Sequence, residues 1–153
     1  MKTKYIFLII ALFCSSLSFA QKALFDKYAE MDNVESVYIS KAMFQMMPNI
    51  ETKDINLKNM KGKIESLQIL NTENKQKADL MRKDFSGLIT KQHEELMRVK
   101  GNDTKATFYA RKNGEIINEL IMIASTEKEF TVIQLLGSFT LQDIQEITSA
   151  LNK

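Results

Sequence analysis

One cysteine, one histidine, one proline, five glycines and no tryptophan occur in the 153 residues. Each scarcity removes a class of chemistry. Cys14 lies inside an apolar N-terminal segment, so the chain beyond it has no disulfide, thiolate metal site or cysteine nucleophile. A lone histidine without thiolates cannot assemble a zinc site. The run His93-Glu94-Glu95-Leu96-Met97 opens like a zinc-protease helix, but Met97 stands where that motif needs its second imidazole. His93 therefore reads as a solvated residue near a helix C-terminus, a favourable place for it. No Gly-x-Ser-x-Gly elbow supports nucleophilic catalysis, and Gly62, Gly87, Gly101, Gly114 and Gly137 are too isolated to form a phosphate loop. Glu94 and Glu95, adjacent in an extended segment, point to opposite faces and do not converge as an acid–base pair. The expectation is a non-enzymatic protein with no cofactor and no metal.

Charge of one sign is also missing. Lys2 and Lys4 account for the formal net charge of +2; without them the 21 Lys and Arg fall to 19, matching 19 Asp and Glu. A balanced, interleaved surface offers no footprint for nucleic acid or anionic lipid. Long apolar runs are absent too. Ile6 to Phe13 is the best of them and is far short of the roughly twenty residues that span a bilayer. With Lys2 and Lys4 before it and Ser18-Phe19-Ala20 after it, this run reads as a signal peptide over 1–20, cleaved before Gln21. The alternative, lipidation at Cys14, fits less well because bulky Phe13 precedes the cysteine. The expected mature protein is thus periplasmic or secreted, without a transmembrane segment, as one domain over 21–153. That length suffices for a real core.

The rest is pattern. Leu24, Phe25, Tyr28 and Met31 predict a short amphipathic helix over Lys22–Met31, and Val34–Ser40 alternates as a strand. Ser40 caps a short helix carrying Met43, Phe44 and Met47, which Pro48 ends. Asn49–Lys63 reads as a long loop. Ile64–Leu70 is a strand, followed by a helix over about Glu73–Gln92 whose stripe is Ala78, Met81, Phe85, Leu88 and Ile89. Gly87 sits in that stripe, which suggests close packing on a sheet. Four β-rich runs follow: Leu96–Lys100, Lys105–Arg111, Ile116–Ser125 and Phe130–Ser138. Asn113-Gly114 is a strong hairpin signal between two of them. Ala106, Phe108 and Ala110 promise a dry face, and Lys105, Thr107, Tyr109 and Arg111 a wet one. Thr140 and Asp143 form a capping box for a last helix with stripe Leu141, Ile144, Ile147 and Leu151. The expected fold is α+β: a two-layer sandwich of a mainly antiparallel sheet, about five to six strands, with helices on one face. Phe85, Leu120, Ile133 and Ile144 are expected in one core.

The segments Val37-Tyr38-Ile39-Ser40-Lys41-Ala42-Met43, Glu95-Leu96-Met97, Val99-Lys100, Asn113-Gly114, Glu119-Leu120, Phe130-Thr131-Val132-Ile133, Gly137 and Leu141-Gln142-Asp143-Ile144 resemble domain-of-unknown-function family 4252. That resemblance implies a small exported protein of Bacteroidota, with genes often near extracytoplasmic sigma factors and no catalytic residues to carry over.

Met43, Met46 and Met47 fall at helical spacing beside Phe44. Thioethers suit Cu(I), but core filling is the plainer role for Met43 and Met47, with Met46 exposed. Together Met43, Phe44, Met46 and Met47 mark a possible interaction surface for an unknown envelope protein. The expected function is an exported protein-interaction or sensing module, its oligomeric state open. The alternative is a carrier of a small apolar ligand, with a pocket between helix and sheet.

Overall fold

A computed structural model describes residues 20–46, 51–52, 55–56 and 62–150; side chains are described for all of these except 51–52, 55–56 and 146–150. Residues 1–19 of the expected leader, Met47 and Pro48 lie outside the described residues, and Ala20, the leader's last residue, opens the first helix. Within them, helix α1 covers residues 20–29. Strand β1 (Glu35–Ser40), helix α2 (Lys41–Met46), and the short strands β2 (Glu51–Thr52) and β3 (Ile55–Asn56) follow. Next come β4 (Ile64–Thr72), α3 (Lys75–Phe85) and a 3₁₀ turn over Ser86–Leu88. Strands β5 (His93–Lys100), β6 (Lys105–Asn113), β7 (Ile116–Ser125) and β8 (Phe130–Phe139) lead into α4 (Leu141–Ala150).

Six strands form one antiparallel sheet in the order β1-β4-β8-β7-β6-β5, an α+β sandwich. The most apolar strands, β7 and β8, are central. Local chemistry explains the joints. Asn33, at φ 63°, turns the chain from α1 into β1, a conformation asparagine tolerates. Asn74 caps α3: its Oδ1 accepts the Lys77 N–H at 3.1 Å. Gly114, at φ +64°, makes the β6–β7 hairpin. The Thr140/Asp143 box forms as expected: Asp143 Oδ2 accepts the Thr140 N–H at 2.8 Å, and Thr140 Oγ1 accepts the Asp143 N–H at 3.3 Å.

Several boundaries differ from the pattern. Helix α3 ends at Phe85, and the chain tightens into 3₁₀ geometry before a new strand starts at His93. Gly87 packs on nothing, since a Cβ there would meet no atom within 4 Å. Close approach is instead the business of Gly137, where a Cβ would fall 2.1 Å from the Lys63 carbonyl oxygen. The segment Asn49–Lys63, read as a loop, contains the β2–β3 pairing. Leu141 is exposed, outside the stripe expected of α4, and Ile147 and Leu151 lie outside the described side chains.

Side chains gather in two clusters. Phe25 and Tyr28 of α1 meet Ala78, Met81 and Phe85 of α3 over Leu70, Ile121, Phe130 and Val132. Phe25 and Phe85 stack edge-on with centroids 5.1 Å apart, and Tyr28 and Phe130 flank Phe85. The second cluster holds Phe44 of α2 with Ile64, Ala110, Ile117, Leu135 and Phe139, and Ile144 of α4 packs against it. Phe85, Leu120, Ile133 and Ile144 therefore do not share one core. Phe85 belongs to the first cluster, Leu120 and Ile144 pack on the second, and Ile133 is in neither. The reason is the pleat: Leu120 and Ile133 point away from the face that Ile121 and Val132 present to α3.

Candidate functional site

Register builds a polar site at one end of the face under α1 and α3. His93 pairs with Arg111 and Arg111 with Glu119, so β5, β6 and β7 present three ionisable side chains in one row. Bulges at the Arg111/Lys112 and Ile117/Glu119 steps reset the pleat. Ile117 thereby joins the second cluster while Glu119, two residues on, faces the helices. Re-aiming a side chain is a common use of a bulge. Gln134 reaches the same point from β8.

Glu119 is fully buried, its side chain 0% exposed, and His93 beside it is 1% exposed. Both carboxylate oxygens are used. Oε1 accepts from Gln134 Nε2 at 2.6 Å; Oε2 accepts from Arg111 Nε at 2.9 Å and lies 3.2 Å from His93 Nε2. On the far side of the ring, the Thr90 N–H donates to His93 Nδ1 at 3.1 Å. The tautomer that fits these contacts carries its proton on Nε2 and donates it to Glu119. Gln134 Nε2 also reaches Gln21 Oε1, 3.5 Å away. Burying a carboxylate costs several kcal/mol unless it is paired and hydrogen-bonded, and here it is both.

A cavity of about 350 Å³ opens against this network, between α1, the 3₁₀ turn and β5–β6. Leu24 and Leu88 form its apolar side; Thr90, Gln92, His93 and Arg111 form its polar side. Arg111 is 37% exposed and bonds Glu119 through Nε. Its Nη groups have no partner among the described residues. The order Thr90–His93–Glu119 has the outline of a nucleophile, base and orienting carboxylate. Thr90 Oγ1 lies 3.1 Å from His93 Nδ1, which also accepts the Thr90 N–H at 3.1 Å, and Thr90 Oγ1 accepts the Gln92 N–H at 3.2 Å. The wall presents a guanidinium held through Nε by a buried carboxylate. Among the described residues no group of three or more His, Cys, Asp and Glu gathers to hold a metal.

His93 is thus neither solvated nor at a helix end. It begins a strand with its ring sealed beneath the cavity. Sequence reading also missed Arg111, Glu119 and Gln134. One signal was there: Glu119 is a lone carboxylate inside the apolar run Ile116–Ile123.

The methionine surface is partly assembled. Ser40 Oγ accepts the Met43 N–H at 3.4 Å and starts α2. Phe44 is buried at 6% exposure, Met46 is exposed at 72%, and Met43, expected in the core, is exposed at 43%. Six residues of helix place only one side chain squarely on the sheet, and Phe44 takes that position. Met47 lies outside the described residues.

A larger apolar surface lies on the sheet itself. Val37, Ile69, Ile133, Met122, Phe108 and Met97 pair in one continuous row across all six strands. They share a face with Leu67, Leu135 and Leu120, which lie two residues along and pack in the second cluster with α2 and α4. Val37 and Met97, at the ends of the row, are 47% and 45% exposed; Val99, one row on, is 49% exposed. No described element packs on this half. Among the described residues no helix is long and apolar enough to cross a membrane.

No curated protein and no solved structure matches the chain. A family model does, over residues 28–147, a span that holds all six strands of the sheet and most of α4. The chain belongs to the family described as Domain of unknown function (DUF4252).

Proposed function

We propose that the protein is an exported, non-enzymatic interaction module of the cell envelope, and that it docks its partner on the open half of the sheet rather than on the methionine helix. The carrying observation is the apolar row Val37–Ile69–Ile133–Met122–Phe108–Met97, which no described element covers. A contiguous apolar face that is exposed at its ends and half-buried between them marks an interaction site. Helices α2 and α4 cover the other half of the same face, so the open half is a ledge one layer deep, about 10 Å. The occupant that fits is an amphipathic helix of a partner protein, laid beside α4 to complete the layer. Export rests on the basic start, the short apolar run and the small residues before Gln21.

The test is capture from the native envelope with wild type and a Met122→Lys variant. Met122 is half-buried on the open face, so the lysine head can reach solvent along the surface. The expected result is a partner retained by wild type and lost by Met122→Lys, with the melting temperature nearly unchanged. Equal capture by both proteins would refute docking at this ledge.

A further inference from the structure

We infer that the cavity beside Arg111 is a binding site for a small carboxylate with a short apolar stem, separate from the ledge; it meets the reading above only at Ala20 and Gln21, which line the cavity and flank the expected cleavage point. The chemistry of the wall selects this class. Arg111 is fixed by its Nε bond to a fully buried Glu119, itself held by Gln134 and His93. A guanidinium has five N–H donors in a rigid fork. With Nε committed, the remaining edge is preset to receive two oxygens of a planar acid, the geometry in which arginine outperforms lysine. Leu24 and Leu88 line the same cavity, and they suit an alkyl stem and offer nothing to a second charge. The volume of about 350 Å³ is at the small end of ligand pockets.

The other charged groups nearby limit the ligand rather than forbid it. Asp84 also lines the cavity. Its Oδ2 accepts from Lys27 Nζ at 2.9 Å and from the Tyr28 hydroxyl at 2.7 Å, so its charge is paired with Lys27. Glu119 is met by Arg111. Arg111 and Glu119 cancel before a ligand enters, so recognition rests on the free Nη donors rather than on net charge, and a dianion is disfavoured more than a monoanion. Two sources carry this chemistry: a free short-chain acid, or the C-terminal residue of a peptide.

His93 is the only histidine in the chain, so its imidazole NMR signals report on this wall alone. The experiment titrates the purified protein with hexanoate, with hexanamide, and with acetyl-Ala-Ala-Leu as free acid and as amide. The expected result is a saturable shift of the His93 signals with hexanoate or the peptide acid, and none with either amide. Saturation by hexanoate identifies a free acid as the source; a response to the peptide acid alone identifies a chain terminus. A Gly87→Leu variant separates site from fold. Gly87 lines the cavity, and a Cβ there meets nothing within 4 Å, so leucine fills the space while leaving Arg111 and Glu119 in place. Binding should be abolished with the melting temperature maintained. An Arg111→Gln variant should lose binding as well. No shift with any acid, equal shifts with the amides, or full binding by Gly87→Leu would each overturn the assignment.

Discussion

The two faces of this sheet carry similar apolar side chains and have different fates. On one, α1 and α3 close over Ile121, Phe130 and Val132, and three aromatic contacts converge on Phe85. On the other, α2 and α4 cover only the half that holds Leu67, Leu120 and Leu135, leaving Ile69, Ile133 and Met122 half-buried. Period-two alternation cannot announce this difference, because both faces are apolar. Strand β6 shows it plainly. Of its expected dry face, Ala106 and Phe108 look onto the open ledge, while Ala110 is buried in the second cluster. Of its expected wet face only Lys105 is exposed; Thr107 is buried, Tyr109 packs on the first cluster and Arg111 lines the cavity. Chain connections decide where helices land, and the landing decides which face becomes core.

The sharpest way to break the comparison is to truncate one residue from each face. Phe85→Ala should cost about 3–5 kcal/mol, since it removes the ring around which the first cluster is built. Ile133→Ala should cost well under the roughly 2–5 kcal/mol of a fully buried truncation, because Ile133 is half-buried and belongs to neither cluster. Urea midpoints of the two variants decide the matter. Equal losses would mean that the ledge is covered in solution.

A smaller effect sharpens the comparison at the covered end of the second face. Lys63 Nζ donates to Asp143 Oδ1 at 2.6 Å, and with the Thr140 N–H and hydroxyl it holds the Asp143 carboxyl below its ordinary range. A depressed folded pKa means that the unfolded chain binds the extra proton first. The contribution is therefore complete above the unfolded carboxylate value of about 3.9 and is lost as pH falls through the folded value. Asp84 has the same sign, through hydrogen bonds from Lys27 and Tyr28. Asp143→Asn should lower stability at neutral pH and flatten the part of the acid limb below about pH 4 that Asp143 supplies, leaving that of Asp84. Urea midpoints measured from pH 2 to 7 test this; an unchanged acid limb would mean that the Lys63–Asp143 link does not persist in solution.

Much of the fold is legible because its signals are local. Asn113-Gly114 names a hairpin, Thr140 with Asp143 names a helix start, and the runs of Ile, Val and Leu name β7 and β8. The site is not legible for the opposite reason. His93, Arg111, Glu119 and Gln134 come from four strands and meet only through register, after bulges that no residue pattern declares. His93 follows the residues read as a long helix, so it looked like a helix end. The chain in fact leaves helix at Phe85, turns through Ser86–Leu88 and enters a strand.

The smallest expected effect belongs to Met46, and it separates the two apolar surfaces most cleanly. Met46 is 72% exposed on a six-residue helix whose only buried residue is Phe44. Met46→Ser removes no packing, so it should change stability by no more than about 0.5 kcal/mol, as surface changes usually do. Phe44→Ser removes the ring that α2 sets into the second cluster and buries a hydroxyl in its place, so a much larger loss is expected. If the ledge is the docking surface, Met46→Ser should also leave partner capture intact while Met122→Lys abolishes it. Loss of capture by Met46→Ser at unchanged melting temperature would move the interface from the sheet to α2. A large loss of stability would instead place Met46 in the core, and α2 would then present no methionine surface to a partner.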